Sequence, residues 1–593
     1  MGNSRFWFIG TALCALMTAS CVSGDVEESA SDTPPFIDPV ILSQNQCSSP
    51  PKQVTAADDE TLSLEANQFE FGSPFALPEA VTAHFHYPIS TESEAAQLWF
   101  DTGLAHMANF NHDEAIAAFR EAQQHDPGCA MCYWGEGLSF GSNINAPYDP
   151  SRGAAGEVAS ARALDLIEWI SEEEAALILA LNVRYVLAED GSVAEDAEAY
   201  ADAMDMVAQG FPGDKFILAL AAEANLDTQP WDYWAADGRA PKGRTARTVE
   251  ILETALELDP DFAPAIHLYI HATEASVDPF RAESYADRLA GESLGVGHLV
   301  HMPSHIYLRL GRWQKSHEAN IAAIAADESY IAGSVNADYY AQVYYPHNVH
   351  FVVTNSQMGG SGATALEMSE KLSQVVLLDP QAPNPFGEHI LASTIFSTLQ
   401  FAGDEAVLDL PEPPEAHLFL RTAWHYARGV VFLRQGEVGL AEAELVGLSA
   451  LEGASGAEMY DLYGVPLPGI RTVADLTLEG RILAAKGDLA AAIARLDEAA
   501  DLSEQIPYME PAWWYYPTRQ TLAAFLLEDG QVDRAEREFF RTLIKSPNNA
   551  YALYGLSEAY RAKGDARSAD YARHLFEEAW IGEPGETPDL SDL

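Results

Sequence analysis

Residues 99–127, WFDTGLAHMANFNHDEAIAAFREAQQHDP, contain the pattern that decides the fold. Small residues at Gly103 and Ala115 allow two helices to approach each other closely, and the aromatic side chain of Phe119 fills the space towards a neighbouring helix pair. Pro127 then ends the second helix, because proline lacks the amide hydrogen that a helix interior needs. The stretch therefore predicts two packed helices joined by a turn.

The pattern recurs with a fixed period along the chain. Gly530 and Ala535 are repeated 34 residues later at Gly564 and Ala569, and this is the period of a helix–turn–helix repeat. Further small and turn residues of the same kind are Gly137, Ala282, Ala286, Gly429, Gly436, Ala441, Gly480, Gly487, Ala492 and Ala499. Strand-like alternation of apolar and polar residues is not found over any useful length, so we predict an all-α chain.

These residues resemble the tetratricopeptide repeat family, whose large, small and helix-ending positions match residues 99–127 in order and spacing. The resemblance covers most of residues 95–580 and implies a right-handed superhelical solenoid of degenerate helix hairpins. Two motifs, HMPSHIYLRLGR at 301–312 and YYPHNVHF at 344–351, also resemble a bacterial subfamily of exported lipoproteins of this kind. The resemblance to that subfamily implies an architecture and no particular reaction.

Composition and pattern divide the chain into six regions. They are a lipoprotein-type signal peptide at 1–20, an acidic flexible tether at 21–60, an N-terminal segment at 61–94, an N-terminal repeat-like helical region at 95–255, histidine-rich central repeats at 256–380, and C-terminal repeats at 381–593. Between about 142 and 255 the repeat pattern is degenerate, and we assign no individual repeats there.

The first residues predict export. Arg5 is followed by the apolar stretch FWFIGTALCALM, which is too short to cross a membrane as a helix. Thr18-Ala19-Ser20-Cys21 resembles a bacterial lipobox, in which the cysteine is lipidated. We therefore expect a lipid anchor at Cys21 that attaches the protein to the outer membrane, facing the periplasm, with plain secretion as the alternative.

The charge of the chain limits its partners. Asp and Glu number 89 against 33 Lys and Arg, which gives a formal net charge of −56. Nucleic-acid binding depends on neutralising phosphates with basic side chains, so we exclude a nucleic-acid partner. The same excess argues against binding to an anionic membrane surface, which leaves the lipid anchor as the one membrane attachment. A metal ion or a cationic ligand fits this charge better.

Cys129 and Cys132 have CxxC spacing. They could form a local disulfide or remain two small apolar side chains in the core. We expect the second arrangement, because Cys129 falls at a junction between repeats where small residues pack.

Two histidine couples recur one period apart. His267 and His271 lie in AIHLYIHATEAS, and His301 and His305 lie 34 residues later in LVHMPSHIYLRLG. Histidines four residues apart share one face of a helix, and equal positions in successive repeats share one side of a solenoid. We therefore predict that the four imidazoles lie together on the concave groove.

Neighbouring positions extend this histidine-rich stripe. Glu274 lies one turn after the first couple, and His298 lies one turn before the second. After an insertion near 330–345, we predict a further helix that begins at Pro346. The complete stripe is His267, His271, Glu274, His298, His301, His305, His347 and His350.

Two interpretations of the stripe remain open. In the first, the chain is a binding or scaffold module, and His298 and Tyr515 contact a protein segment or small ligand in the groove. Tyr515 belongs to the aromatic run WWYY, which we expect more often to fill a joint of a solenoid. In the second, the chain is a metalloprotein, because desolvated imidazoles repel each other when charged and a metal ion would hold them together. Ligation by imidazole without thiolate suits Cu, Zn or Fe.

The metal interpretation gives each residue a role. The ligands would be His267, His271, His301 and His305, with His347 and His350 holding a second ion. Glu274 would be a further ligand, or the general base on a metal-bound water in redox or hydrolytic chemistry. Leu268 and Met302 stand where an HExxH motif has glutamate, so a zinc protease of that type is not predicted.

Overall fold

The computed structural model describes residues 69–292 and 294–589, whose regular secondary structure is almost entirely helical. The predicted all-α class and the solenoid of helix hairpins are confirmed. The predicted signal peptide, the tether and Cys21 lie outside the described residues. Across 69–292 and 294–589, no helix is both long enough and apolar enough to cross a membrane.

The helices of the N-terminal region are short and are joined by connections of varied length. They are α1 (Glu79–Thr82), α2 (Glu94–Ala108), α3 (His112–His125), α4 (Ala130–Ser139), α5 (Gly153–Asp165), α6 (Glu172–Asn182), α7 (Ala197–Gly210), α8 (Lys215–Asp227) and α9 (Thr245–Leu258). Between α6 and α7 the chain forms a small antiparallel hairpin of β1 (Tyr185–Leu187) and β2 (Val193–Glu195). This hairpin lies in the region whose repeat pattern is degenerate.

The central helices carry the histidines. They are α10 (Ala263–Glu274), α11 (Glu283–Gly291), α12 (Gly297–His301), α13 (Pro303–Arg309), α14 (Trp313–Gly333), α15 (Asp338–Gly359) and α16 (Gly362–Val375). Helix α15 begins two turns before Pro346, so the predicted helix start at this proline is wrong, and most residues of the predicted insertion belong to α14 and α15. Tyr340 and Tyr344, one turn apart, are both buried, and this apolar stripe extends the helix upstream of the proline.

The C-terminal helices continue the hairpin pattern. They are α17 (Pro385–Ser397), α18 (Asp404–Leu408), α19 (Leu418–Arg434), α20 (Val438–Ser449), α21 (Ala457–Leu462), α22 (Leu467–Ala485), α23 (Leu489–Ser503), α24 (Thr518–Glu528), α25 (Val532–Lys545), α26 (Ala550–Lys563) and α27 (Ala566–Ala579).

Close packing within hairpins depends on the small residues that the sequence pattern selects. A Cβ atom added to Gly103 would lie 2.5 Å from the ring of Phe119, and one added to Gly555 would lie 2.2 Å from Phe539. Larger side chains at these positions would therefore separate the paired helices. Gly530, which opens a predicted turn, has a φ of 75°, a conformation that favours glycine.

The C-terminal repeats pack back against the central helices. The indole nitrogen of Trp313 donates to the carbonyl of Asn548 at 2.8 Å, and the amide of Ile581 donates to the carbonyl of Gly359 at 2.9 Å. The solenoid is therefore closed on itself around its central third. This closure places the connection between α23 and α24 beside the histidine-bearing helices.

Cys129 and Cys132 form a disulfide, so the expectation of two free thiols is wrong. Cys129 immediately precedes α4 and Cys132 lies in its first turn, which brings their Cα atoms to 5.4 Å. Both residues are also buried in a small apolar cluster. The packing role was predicted correctly, but it does not exclude the covalent bond.

Candidate metal centre

Helix α10 presents three polar side chains to the interior of the solenoid. His267, His271 and Glu274 follow each other at intervals of four and three residues, so they share one face of the helix. None of them is more than 1% exposed. Because buried polar groups are unfavourable without partners, the surroundings of these three side chains define the site.

The first triad consists of His267, His271 and His298. One potential ligand atom of each residue lies within 4.8 Å of the others. The Nε2 atoms of His267 and His298 are 3.2 Å apart, and the ring centres of His267 and His271 are 4.9 Å apart. His298, which the sequence predicts as a groove residue, therefore lies with the candidate ligands.

The second triad consists of His301, His305 and His347, again with ligand atoms within 4.8 Å of one another. The Nε2 atoms of His301 and His305 are 2.8 Å apart, and the ring centres of His301 and His347 are 4.9 Å apart. The predicted group of four ligands is thus divided between two triads. Each triad combines one histidine couple with one further histidine.

In the second triad, the Nδ1 atoms of His301 and His305 face hydrogen-bond acceptors. Nδ1 of His301 lies 2.6 Å from Oδ1 of Asn320, and the orientation of this amide is fixed because its Nδ2 donates to a backbone carbonyl at 2.7 Å. Nδ1 of His305 lies 2.7 Å from Glu274 and 2.9 Å from Glu510. Since amide and carboxylate oxygens accept hydrogen bonds, both Nδ1 atoms carry the proton.

The Nε2 atoms of these two residues face each other at 2.8 Å. Because Glu274 and Glu510 outweigh burial and raise the pKa of His305 to about 10, His305 carries a second proton near neutral pH, and its Nε2 donates to the lone pair on Nε2 of His301. A metal ion bound between the two nitrogens would take the place of this proton. For an ion about 2.0–2.1 Å from each nitrogen, separations of 2.8 and 3.2 Å correspond to N–ion–N angles of about 85–105°. The facing nitrogens in both triads are therefore spaced for a shared metal ion.

Two further nitrogens of the first triad lack partners. Within the described part of the chain, Nε2 of His271 and Nδ1 of His298 are buried without a hydrogen-bond partner. Such groups are rare in folded proteins and require an explanation. A metal ion bound by the triad would provide it for at least His271, whose Nδ1 is already occupied by Glu274.

Glu274 connects the two triads. Its Oε1 accepts from Nδ1 of His271 at 2.9 Å, and its Oε2 accepts from Nδ1 of His305 at 2.7 Å. Carboxylates in this position orient metal-binding imidazoles and fix their tautomer. Because both oxygens already accept hydrogen bonds from histidines, the geometry favours a positioning role for Glu274 over that of ligand or general base.

Glu510 places a second carboxyl group beside His305. Burial and the neighbouring Glu274 raise the pKa of Glu510 to about 8. Burial favours the neutral form of Glu274 as well, but His305 and His271 outweigh it and hold the pKa of Glu274 well below its usual range. Burial opposes a charge on His305, yet the two carboxyl groups raise its pKa to about 10. The three groups form a hydrogen-bonded acid–base cluster at the edge of the second triad.

Burial keeps the remaining imidazoles of both triads neutral. Burial and, to a smaller extent, the charge of His305 lower the pKa of His347 to about 3. Burial also lowers the pKa values of His267, His271, His298 and His301. Neutral imidazole is the form that binds metal ions.

One phenyl ring lies against each triad. The ring centre of Phe110 is 4.5–6.1 Å from the three imidazoles of the first triad, and that of Phe351 is 4.6–4.9 Å from those of the second. Trp231 lies edge-on to His271 at 5.1 Å. Phe110 and Trp231 have φ values of 55° and 64°, which are strained for bulky residues and persist only where packing enforces them.

The site is enclosed, which differs from the open groove that the sequence predicts. The side chains of the two triads are buried except for His347, which is partly exposed. The connection between α23 and α24 covers them: the hydroxyl of Tyr508 donates to Glu274 at 3.1 Å, and Glu510 contacts His305. The chain itself therefore occupies the side on which a partner was expected.

Besides Glu274, two of the predicted site residues in the described part of the chain lie outside the triads. His350 faces His389, with ring centres 5.0 Å apart. Tyr515 stacks on Phe396 at 4.0 Å and lines a separate cavity of about 850 Å³. The other three aromatic residues of its WWYY run are buried in the core, as expected for a joint between repeats.

Sequence analysis missed Phe110, Asn320, Phe351 and Glu510. Phe351 is the last residue of the YYPHNVHF motif, and Glu510 directly precedes a second conspicuous run, PAWWYYPTRQ. Their position at the edges of motifs is the signal by which these two could have been found. Phe110 and Asn320 carry no comparable signal, because only the packing of distant helices brings them to the histidines.

Fold and site together define a helical-repeat protein with an enclosed histidine-rich centre. Residues 96–129 match the family model of the tetratricopeptide repeat, so the chain contains a repeat of this kind where the pattern begins. No curated protein matches the chain. Among solved structures, it is similar to human IFIT1 as a dimer with m7Gppp-AAAA, at 13% identity over 89% of this chain and 95% of that chain, with a TM-score of 0.30. It is also similar to the APC/C hetero-tetramer Cut9–Hcn1, at 14% identity over 85% and 76%, with a TM-score of 0.25. Similarities this low do not bear on function.

Proposed function

We propose that this protein is a metalloprotein that binds transition-metal ions in its two histidine triads. The observation that carries the proposal is the pair of facing Nε2 atoms of His301 and His305, whose Nδ1 atoms both donate to acceptors. Imidazole ligands without thiolate suit copper, zinc or iron. The bound ion would displace the proton between these two Nε2 atoms and form a bond to each of them.

The enclosure of the triads supports metal carriage or chemistry on small molecules. Phe110 and Phe351 exclude water from one side of each triad, and interactions between an ion and a small anion are stronger where water is excluded. For redox or hydrolytic chemistry, Glu510 is the best-placed proton donor and acceptor, because its pKa of about 8 lies near neutrality.

Elemental mass spectrometry of untagged protein, purified without chelator, tests the proposal. We expect near-stoichiometric copper, zinc or iron in the native protein and loss of it in the variant His298→Asn/His347→Asn, which removes one candidate ligand from each triad. The matched control is His125→Asn/His574→Asn, which changes two exposed histidines outside the triads and should retain the metal. Absence of metal from the native protein, even after incubation with each ion, would overturn the proposal.

A second candidate function is the binding of a small organic ligand, favoured by the cavity beside Tyr515. Its volume of about 850 Å³ is typical of ligand sites. Its wall combines the aromatic rings of Tyr516 and Trp580 with the amides of Gln400 and Gln520. A segment of another protein is the alternative ligand for the same cavity. Native mass spectrometry should detect a co-purified ligand that Tyr515→Ala loses; a ligand-free native protein would contradict this candidate.

We propose further that the chain is exported and anchored by lipid at Cys21 to the outer membrane, facing the periplasm. The Cys129–Cys132 disulfide supports export, because disulfides persist in oxidising compartments. Cells that express the native chain should incorporate labelled palmitate into it, and cells that express Cys21→Ser should not. Equal labelling of both would contradict the anchor, and a secreted, unlabelled native chain would support the alternative.

A further inference from the structure

The two triads are built alike. Each contains a histidine couple with four-residue spacing, a third histidine from another part of the chain, and one phenyl ring against all three imidazoles. Three protein nitrogens leave a metal ion with at least one open coordination position. The phenyl ring closes one side of each triad, so the open position lies away from that ring.

In each triad, the side that the phenyl ring does not cover faces the other triad. The ring centres of His271 and His305 are 5.3 Å apart, and those of His298 and His301 are 5.9 Å apart. Glu274 holds one histidine of each triad through its two oxygens. The triads are therefore in direct contact and held in a fixed relative orientation by one buried carboxylate.

We infer that the two triads form one dinuclear centre, in which a ligand of one to three atoms bridges the two metal ions. This inference rests on the proposed function. The class of ligand follows from the burial of the site: five of the six imidazoles are buried and His347 is partly exposed, so the space between the triads suits a small ligand. Hydroxide, azide and dioxygen have the required size, and two ions about 3.5–4 Å apart are the usual arrangement for such bridges.

The backbone supports the same conclusion for the first triad. Phe110 has a φ of 55° and Trp231 a φ of 64°, and both rings contact this triad. Strained residues persist where the surrounding structure enforces them, often at ligand sites. The fold thus holds two aromatic walls against the triad at an energetic cost, which keeps its open position directed at the second triad.

Copper is the probe for the experiment. The metal-free full chain is titrated with Cu(II), and copper content and the intensity of the electron paramagnetic resonance signal are measured on the same samples. We expect two copper ions per chain and a spin intensity far below two, because a bridging ligand couples the two unpaired electrons. Added azide should bridge the ions and produce a new charge-transfer absorption.

Two matched variants each remove a ligand from one triad and leave the other triad intact. His298→Asn removes a ligand of the first triad, and His347→Asn removes one of the second; neither residue contacts Glu274. Each variant should bind about one copper ion and show the full signal of one uncoupled spin. His350→Asn, which changes a buried histidine outside both triads, should behave like the native protein. The native measurements stand alone if a variant fails to fold.

The outcomes separate this inference from the proposed function. Two copper ions with two uncoupled spins, or one copper ion per chain, would overturn the dinuclear centre. Either result would still support the proposed function as a metalloprotein. Copper retained when both triads are removed would mean an adventitious ion only, and would overturn both. Failure of the native chain to bind any of the proposed metals would likewise overturn both.

Discussion

A carboxylate oxygen of Glu510 lies 2.9 Å from Nδ1 of His305, although 205 residues separate them in the chain. His305 belongs to the central repeats, whereas Glu510 belongs to the connection between α23 and α24. The contact exists because the C-terminal repeats pack back against α14 and α15. The histidine site is therefore the inner part of a closed solenoid, and both halves of the chain contribute to it.

Glu274→Gln should weaken metal binding without unfolding the protein. Glutamine cannot supply two anionic acceptors, so His271 and His305 lose the partner that fixes their orientation. Changes of this kind lower metal affinity by about 10–100-fold, which competition with a chromophoric chelator measures. Glu257→Gln alters an exposed carboxylate at the end of neighbouring helix α9 and should leave the affinity unchanged. Equal affinities in the two variants would show that Glu274 has no positioning role.

Trp231→Gly should speed metal release. The substitution removes the ring that covers His271 and relieves the strained φ of 64°, so the free energy of unfolding should change by less than about 1 kcal/mol. The rate of metal transfer to EDTA should rise. Trp169→Gly is the matched control, because Trp169 has a φ of 74° and is 95% exposed. A release rate that matches the control would contradict a covering role for Trp231.

The metal-free protein should lose stability as the pH falls below about 6.5. Burial lowers the pKa of His389 to about 4 and that of His347 to about 3, so between these values and about 6.5 the unfolded chain binds protons that the folded chain does not. Each such histidine contributes up to about 1.4 kcal/mol per pH unit. His305, with a pKa raised to about 10, acts in the opposite sense and reduces stability as the pH rises above about 6.5.

Thermal unfolding at about pH 5 and about pH 6.5 measures this dependence. His389→Asn should reduce the difference between the two conditions, because one of the buried neutral imidazoles is absent. His574→Asn, which changes an exposed histidine, should not. Identical pH dependence in the two variants would contradict a buried, neutral His389.

Removal of metal should lower the thermal midpoint of the native protein. An ion that binds only the folded state stabilises it by about 4 kcal/mol when its free concentration is a thousand times the dissociation constant. Differential scanning fluorimetry before and after chelation, and after metal is restored, measures the change. A variant with both triads disrupted, His298→Asn/His347→Asn, should show no shift on either treatment. A shift of the same size in that variant would place the metal elsewhere.

The features that sequence predicts well here are local or periodic. His267 and His271 share a helix face because they are four residues apart, and His301 and His305 repeat that arrangement at the same position of the next repeat. The same regularity predicts a close helix approach at Gly103, where the structure places the ring of Phe119. Neither prediction needs knowledge of how the solenoid curves.

The features that sequence missed depend on that curvature. His347 and His350 are three residues apart, yet one joins the second triad and the other faces His389. Which of them turns inward depends on how α15 packs, and that helix begins earlier than Pro346 suggests. Phe110 and Glu510 reach the site from the two distant parts of the chain, which no local pattern records.

The location of Phe110 and Glu510 on either side of the histidines has a consequence for biosynthesis. Synthesis proceeds from the N-terminus, so the helices with His267 and His305 are complete long before Glu510 is added. During that interval the imidazoles lack the segment that later covers them, and an ion can reach them without passing through the finished protein. Completion of the chain then seals the centre. A chain that ends before residue 510 would therefore retain the imidazoles of both triads while losing the segment that covers them.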